Sequence, residues 1–215
     1  MGVTSPHHHA QRSRLRPVIV GIGGTTRESS STERALRYCL DVVAELGGET
    51  VLLAATDLEL PIYAPERAER HPRAVRLVEA LRRADGVIIS TPGYHGGMSG
   101  MVKNALDYAE DLRGDERPYL DERPVGCIVC AYGWQATTTT LVGLRSVVHA
   151  LRGWPTPLGV AVNSAEPIWR DDGSLADEGV TSQLRMLASQ VLEFVTRSRA
   201  PMLGETGMVP AHGDD

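Results

Sequence analysis

The sequence predicts an α/β domain built on a doubly wound, five-stranded parallel sheet in the order 2-1-3-4-5, with helices on both faces. Three observations carry this. Short apolar runs alternate with amphipathic stretches along the chain. The runs are apolar at consecutive positions, as strands covered on both faces must be. At 215 residues and 42% hydrophobic content the chain can bury one sizeable core, whereas two domains would each be undersized.

The first run, Val18-Ile19-Val20-Gly21-Ile22, ends in Gly23-Gly24 and leads into an amphipathic stretch from Thr32 to Leu46 that Gly47-Gly48 closes. Val51 to Ala54 is the second strand and Pro72 to Arg83 the second helix. Val87 to Ser90 is the third strand, followed by a helix from Met98 to Leu112. Val125 to Cys130 is the fourth strand, Thr138 to Leu151 a helix, Leu158 to Val162 the fifth strand, and Asp177 to Thr196 the closing helix. Right-handed crossovers restrict such a chain to few topologies, and the commonest puts a ligand crevice at the carboxyl ends of strands one and three. The domain is expected over residues 17–198. Residues 1–16, with His7, His8 and His9 as a tag remnant or disordered tail, are expected to be a disordered leader without the apolar segment of a secretory signal. Residues 199–215, which lack a hydrophobic period, are expected to be a flexible tail.

A net charge of −5 with both signs interleaved provides no basic stripe for nucleic acid, and no run approaches the roughly 20 apolar residues of a membrane span. Three cysteines form no disulfide framework, so a reducing cytoplasm is the expected setting. Cys127 and Cys130 spell Cys-x-x-Cys, but on a strand they point to opposite faces and read as core residues. His71 and His149 have no neighbouring ligand pattern, so no metal site is expected.

The loop Gly23-Gly24-Thr25-Thr26-Arg27-Glu28-Ser29-Ser30-Ser31-Thr32 sets hydroxyls and an arginine between a strand and a helix start. Free amides and the positive end of the helix dipole favour an anion there, and Arg27 adds a charge-assisted donor. No Walker lysine is present, and Thr26 stands where a dinucleotide fingerprint has its third glycine, which favours a terminal monophosphate. The plainer use of these hydroxyls is to cap the helix.

The stretch Ser90-Thr91-Pro92-Gly93-Tyr94-His95-Gly96-Gly97-Met98-Ser99-Gly100-Met101-Val102-Lys103-Asn104-Ala105-Leu106-Asp107 resembles the NAD(P)H-dependent FMN reductase family, whose members carry a Thr-Pro-Glu-Tyr-Asn/His-Gly loop running into a Lys-Asn-Ala-x-Asp helix. The family's first-loop pattern falls independently on Gly24, Thr25, Arg27, Ser30 and Thr32. The resemblance runs from about Pro17 to Arg197. It implies a flavodoxin-like fold, FMN as cofactor and NAD(P)H as co-substrate, with Thr25, Arg27, Ser30 and Thr32 at the phosphate and Pro92, Gly93, Tyr94, His95 and Gly96 along the isoalloxazine. Tyr132, Gly133 and Trp134 would close the other edge. Hydride would pass between stacked rings, so no catalytic acid, base or nucleophile is expected of the chain. His95 reads as a wall or hydrogen-bond donor, and Lys103, the only lysine, as a helical i,i+4 partner of Asp107.

The family also implies a homodimer or homotetramer, and the helices Met98 to Leu112 and Thr138 to Leu151 offer apolar residues for an interface. The electron acceptor would be a small molecule, such as free flavin, a quinone, an azo or a nitro compound, and a flavin-dependent monooxygenase fed with reduced flavin is a candidate partner. Two departures stand out. Gly93 replaces the family's glutamate, removing a polar side chain near the subunit interface. Trp134 replaces a small residue, and its indole turns either inward over the flavin or outward beneath the next helix. Tyr63 and His71 lie in the long connection from Asp57 to Pro72, which in this fold can overhang a partner subunit's site. The alternatives are a flavodoxin-like electron carrier or regulator without turnover, and a phosphate-binding α/β protein without flavin.

Overall fold

In the computed structural model, residues 16–170 and 172–199 are described. They form β1 (Val18–Gly23), α1 (Ser31–Glu45), β2 (Glu49–Ala54), α2 (Pro72–Arg83), β3 (Gly86–Tyr94), β4 (Gly97–Met98), α3 (Gly100–Asp107), β5 (Pro124–Ala131), α4 (Trp134–Ala150), β6 (Trp154–Pro155), β7 (Val160–Asn163) and α5 (Glu178–Arg199). The strands pair in the order β2-β1-β3-β5, all parallel, and β6 and β7 share the fifth position beside the start and end of β5. This is the expected 2-1-3-4-5 order.

Strand alternation splits the core into two layers. Val20, Ile22, Val87, Ile89, Val125, Cys127 and Val129 face α2, α3 and α4, while Ile19, Ile88, Ile128, Cys130, Val160 and Val162 face α1 and α5. Cys127 and Cys130 thus lie on opposite faces, and burial pushes both thiols up to about 12.

Four expectations are corrected. The third strand runs on from Ser90 to Tyr94, pairing Thr91 and Pro92 with Val129 and Cys130. Proline is tolerated because β1 ends opposite Ser90, whose carbonyl accepts from Gly24 on that side. Pro92 faces the same side by alternation, so its missing N–H breaks no ladder bond. The helix expected from Met98 starts at Gly100, because Met98 pairs with Gly93 in the β3–β4 hairpin, and it tightens to a 3-10 turn over Tyr108–Leu112. The helix expected from Thr138 begins four residues earlier, at Trp134. The fifth strand is split rather than continuous over Leu158 to Val162: Pro157 follows Thr156, whose hydroxyl turns back to the Leu158 carbonyl at 2.7 Å.

Side chains at both ends of the described residues are tied to the sheet and its turns. The Arg16 guanidinium donates to the Gly47 and Gly48 carbonyls, both at 2.9 Å, and Arg199 pairs with the buried Asp85, which also accepts from the Val18 amide at 2.8 Å. The rest of both expected tails, including His7 to His9, lies outside the described residues. Among the described residues no helix is long and apolar enough to cross a membrane.

Candidate active site

β1 and β3 meet at their carboxyl ends with no room between them. A Cβ on Gly23 would lie 2.0 Å from the Ser90 carbonyl oxygen, so only glycine fits, and the Gly24 amide donates to that same oxygen at 3.2 Å. The Ser90 hydroxyl donates to the Thr32 carbonyl at 2.8 Å and fastens the start of α1 to β3. β1 has its neighbours β2 and β3 on opposite sides, so this is the point where the winding of the sheet reverses.

Between Gly24 and α1 the chain makes its own turn. The Thr25 hydroxyl donates to the Arg27 carbonyl and accepts from its amide, both at 3.1 Å, leaving the Arg27 side chain exposed. Ser30 is the N-cap of α1, accepting from the Glu33 amide at 3.3 Å, and its hydroxyl lies 3.0 Å from that of Thr32. The capping use is therefore realised by the Ser30 hydroxyl, which the Thr32 hydroxyl supports from inside the first turn. Glu33 accepts from the Ser29 amide at 3.0 Å and pairs with Arg37 at 2.7 Å, which offsets its charge at the helix start. That leaves the exposed stretch from Thr26 to Ser29, with the Arg27 guanidinium, beside the helix start as a corner that suits an anion.

The β3 loop is a two-residue hairpin. Gly93 pairs with Met98 and Tyr94 with Gly97, and His95 and Gly96 between them have φ of +51° and +83°. Positive φ at both central residues is the type I′ geometry that suits the twist of paired strands. Tyr94 is 54% exposed. Nothing lies within 4 Å of a Cβ built on Gly96, so backbone faces open space there, as close approach of a flat ring requires. Gly93 is different: its Cβ would meet Ala131 Cβ at 2.8 Å, Thr140 Oγ1 at 3.0 Å and the Ala136 carbonyl at 3.3 Å. A glutamate there would push against β5 and α4.

The Lys-Asn-Ala-x-Asp segment turns out to hold a neighbouring loop. Lys103 and Asp107 form the expected surface pair at 2.5 Å. Asn104 accepts from the Tyr63 amide at 2.8 Å and donates to the Pro61 carbonyl at 2.9 Å, to which the Tyr108 hydroxyl also donates at 3.0 Å. Tyr63 and Tyr108 meet edge to face at 5.1 Å, and Arg70 lies over both rings while gripping Asp111 through two bonds of 2.7 and 2.8 Å. Burial, followed by the Asp111 charge, raises the Tyr63 hydroxyl above its ordinary value. Asn104, Arg70 and Asp111 were not singled out from the sequence, whose one signal was an asparagine on the buried face of a helix. His71 caps α2, its Nδ1 accepting from the Arg73 amide at 3.2 Å.

After β5, Tyr132 is 83% exposed, Gly133 has φ of +110° as the N-cap of α4, and Trp134 is the first helical residue, 57% exposed. Trp134 therefore does not pack beneath the helix. The Gly133 amide donates to Asn163 Oδ1 at 2.9 Å, from a strand end that the sequence reading passed over.

All twelve sequence-predicted residues lie at or just beyond the carboxyl ends of three adjacent parallel strands. The Ser90–Thr32 bond joins the first group to the second, and Gly93 packed against Ala131 joins the second to the third. An anion corner beside open glycine backbone and exposed aromatic rings suits a flat heterocycle carrying one phosphate. Among the described residues no three His, Cys, Asp or Glu side chains cluster as a metal would need.

The family described as NADPH-dependent FMN reductase matches residues 17–167. The NADPH azoreductase of Bacillus sp. strain OY1-2 is 41% identical over 161 residues, covering 74% of this chain and 83% of that protein. The FMN-dependent NADPH-azoreductase of Staphylococcus aureus strain USA300 is 35% identical over 124 residues, or 57% of this chain and 62% of its own length. Among solved structures, the flavoenzyme NAD(P)H:(acceptor) oxidoreductase FerB of Paracoccus denitrificans superposes with a TM-score of 0.70 over 85% of this chain and 98% of its own, at 22% identity, which speaks for a shared flavodoxin-like fold.

Proposed function

This chain belongs to the NADPH-dependent FMN reductase family, an FMN- and NAD(P)H-dependent oxidoreductase, and from that premise we propose how its residues divide the work. Arg27 and the start of α1, shaped by Thr25, Ser30 and Thr32, hold the FMN phosphate. A charge-assisted bond of this kind contributes about 1.5–3 kcal/mol. The backbone from Pro92 to Gly96 lies along the ring system, and Tyr132, Gly133 and Trp134 border the slot that the nicotinamide and the acceptor enter in turn. FMN, when bound, supplies the two-electron exchange between them. The chain's residues bind and orient, exclude water and set the slot's width. The observation that carries this reading is the gathering of the three loops at the one end of the sheet where the winding reverses.

For the acceptor we favour an azo compound, supported by the names of the two relatives, with quinones, nitro compounds and free flavin as further entrants of the same slot. Supply of reduced flavin to a flavin-dependent monooxygenase belongs to the same reading. Three buried, unbridged cysteines among the described residues support a reducing cytoplasm. The outer face of α4, with Thr138, Thr139, Val142, Gly143, Ser146 and Ala150 exposed, supports a symmetric homo-oligomer.

The test is spectroscopic. Purified protein loaded with FMN is expected to lose its flavin absorbance rapidly on anaerobic addition of NADPH and to regain it when an azo dye is added, with bleaching of the dye. A bound flavin that NADPH leaves oxidised would point instead to the carrier. A protein that takes up no FMN would overturn both.

A further inference from the structure

We propose that Asn163 is a positioning residue for this reaction: its side-chain amide sets the place of the Tyr132–Gly133–Trp134 wall and ties it to the loop that follows β7. The proposal rests on the reading above that this wall borders the flavin slot.

Asn163 is the last residue of β7, paired in register with Ala131, the last residue of β5, and is 9% exposed. Its Oδ1 accepts two backbone bonds, from Gly133 at 2.9 Å and from Ala165 at 3.1 Å, and its Nδ2 donates to Glu166 Oε1 at 3.2 Å. Two N–H donors on one side and a carboxylate on the other fix which amide atom is which. The Ala165 bond is the local turn that any Asn at a strand end would make. The Gly133 bond spans thirty residues and reaches the one backbone position on which α4 and the aromatic wall hinge.

Gly133 needs that bond. As an N-cap its amide takes no part in the helix, and glycine has no side chain to reach into the first turn. With φ of +110° its peptide plane is held from outside, by Asn163. Downstream, the Gly133 carbonyl accepts from the Thr137 amide at 3.2 Å and the Trp134 carbonyl from the Thr137 hydroxyl at 2.8 Å, so the orientation at Gly133 is passed into the first turn of α4, which carries Trp134. On the other flank, Ala131, Thr140 and the Ala136 carbonyl leave no room for a side chain at Gly93 of the β3 loop, so this corner backs directly onto it. A shift of this corner therefore moves both rims of the slot.

The experiment compares FMN-loaded wild type with Asn163→Ala, the double variant Asn163→Asp with Glu166→Gln, and Trp134→Gly. It reads the fluorescence of bound FMN, which contact with an aromatic side chain quenches, and kcat and KM for p-benzoquinone as the acceptor probe. Trp134→Gly is expected to raise the fluorescence and to change KM for the quinone. Asn163→Ala is expected to raise the fluorescence in the same direction and to raise KM about tenfold, equivalent to about 1.4 kcal/mol, with a smaller change in kcat. Asn163→Asp combined with Glu166→Gln keeps an oxygen for the Gly133 amide, puts an amide donor in place of the facing carboxylate, and is expected to restore most of both signals. If Asn163→Ala does not fold, Asn163→Ser, which opens less space, carries the same comparison.

If Trp134→Gly alters both readouts while folded Asn163→Ala or Asn163→Ser matches wild type, the positioning role is overturned and the wall stands. The role is overturned equally if the Ala variant is impaired and the Asn163→Asp, Glu166→Gln double variant is no better. If Trp134→Gly changes neither readout, the wall does not border the flavin, and the reading beneath the proposal falls with it.

Discussion

Single residues separate two kinds of legibility. The role proposed for Arg27 rests on local chemistry: a guanidinium one turn ahead of a helix start, which the fold leaves exposed and thus free of packing duties. Arg27→Ala is expected to weaken FMN binding by roughly tenfold to 200-fold, the equivalent of the roughly 1.5–3 kcal/mol of a charge-assisted bond, without moving the unfolding midpoint. FMN titration and urea unfolding of the same variant check both halves, and unaltered affinity would remove this loop from the phosphate. Trp134 was ambiguous, since an indole beside a loop suits either a core or a ligand. Its exposure at the first position of α4 excludes the buried alternative and with it the roughly 3–5 kcal/mol typical of deleting a core aromatic. Asn163 was invisible, because its use depends on Gly133 being opposite it, thirty residues away in the chain.

At the scale of elements, periodicity located the strands and helices, and errors arose where a local cue was outvoted. Thr-Pro-Gly after Ser90 reads as a strand end, yet one free edge lets β3 continue through Pro92. The helix expected from Thr138 starts four residues earlier because Gly133 opens it at Trp134, and burial of Thr137 and Thr140 offsets the crowding of four successive β-branched threonines. The long connection between β2 and α2 is a further case. It has little regular structure beyond the 3-10 turn at Ala55–Leu58, and Asn104, Tyr108 and the Arg70–Asp111 pair hold it against α3. Asn104→Ala would leave the Tyr63 amide without its partner, at a cost of about 1–3 kcal/mol, more than the 0–1 kcal/mol that an exposed pair such as Lys103–Asp107 contributes. A lower urea midpoint and faster tryptic cleavage at Arg67 or Arg70 are expected. Unchanged values of both would mean that the connection is held by other contacts.

For the molecule as a whole, the two-layered core accounts for cohesion, with each fully buried aliphatic side chain contributing about 1.5–3 kcal/mol relative to exposure. The outer face of α4 is the surface that this core leaves unexplained. α3 displays the Lys103–Asp107 pair, whereas the exposed residues of α4 include no Asp, Glu, Lys or Arg. Light scattering at micromolar concentration is expected to give a dimer or tetramer, and Val142→Glu, a charge on the middle of that face, is expected to dissociate it while leaving the fold intact. A wild-type monomer would refute the oligomer, and an oligomer indifferent to Val142→Glu would move the interface elsewhere.

Taken alone, the sequence determined the layer order, the strand sequence of the sheet, the opposite faces of Cys127 and Cys130, and the three loops that meet at its carboxyl end. Those follow from periodicity, chain handedness and short-range chemistry, which neighbouring residues carry among themselves. Only the tertiary structure decided that Ser30 and Thr32 are first of all helix-start residues, that Gly93 is small because α4 presses on it, and that Asn104 and Asn163 anchor loops far from them in the chain. Each of these depends on which backbone groups two distant segments leave unpaired when they come together. Hydrogen bonding between such groups is set by packing, and no local pattern encodes it.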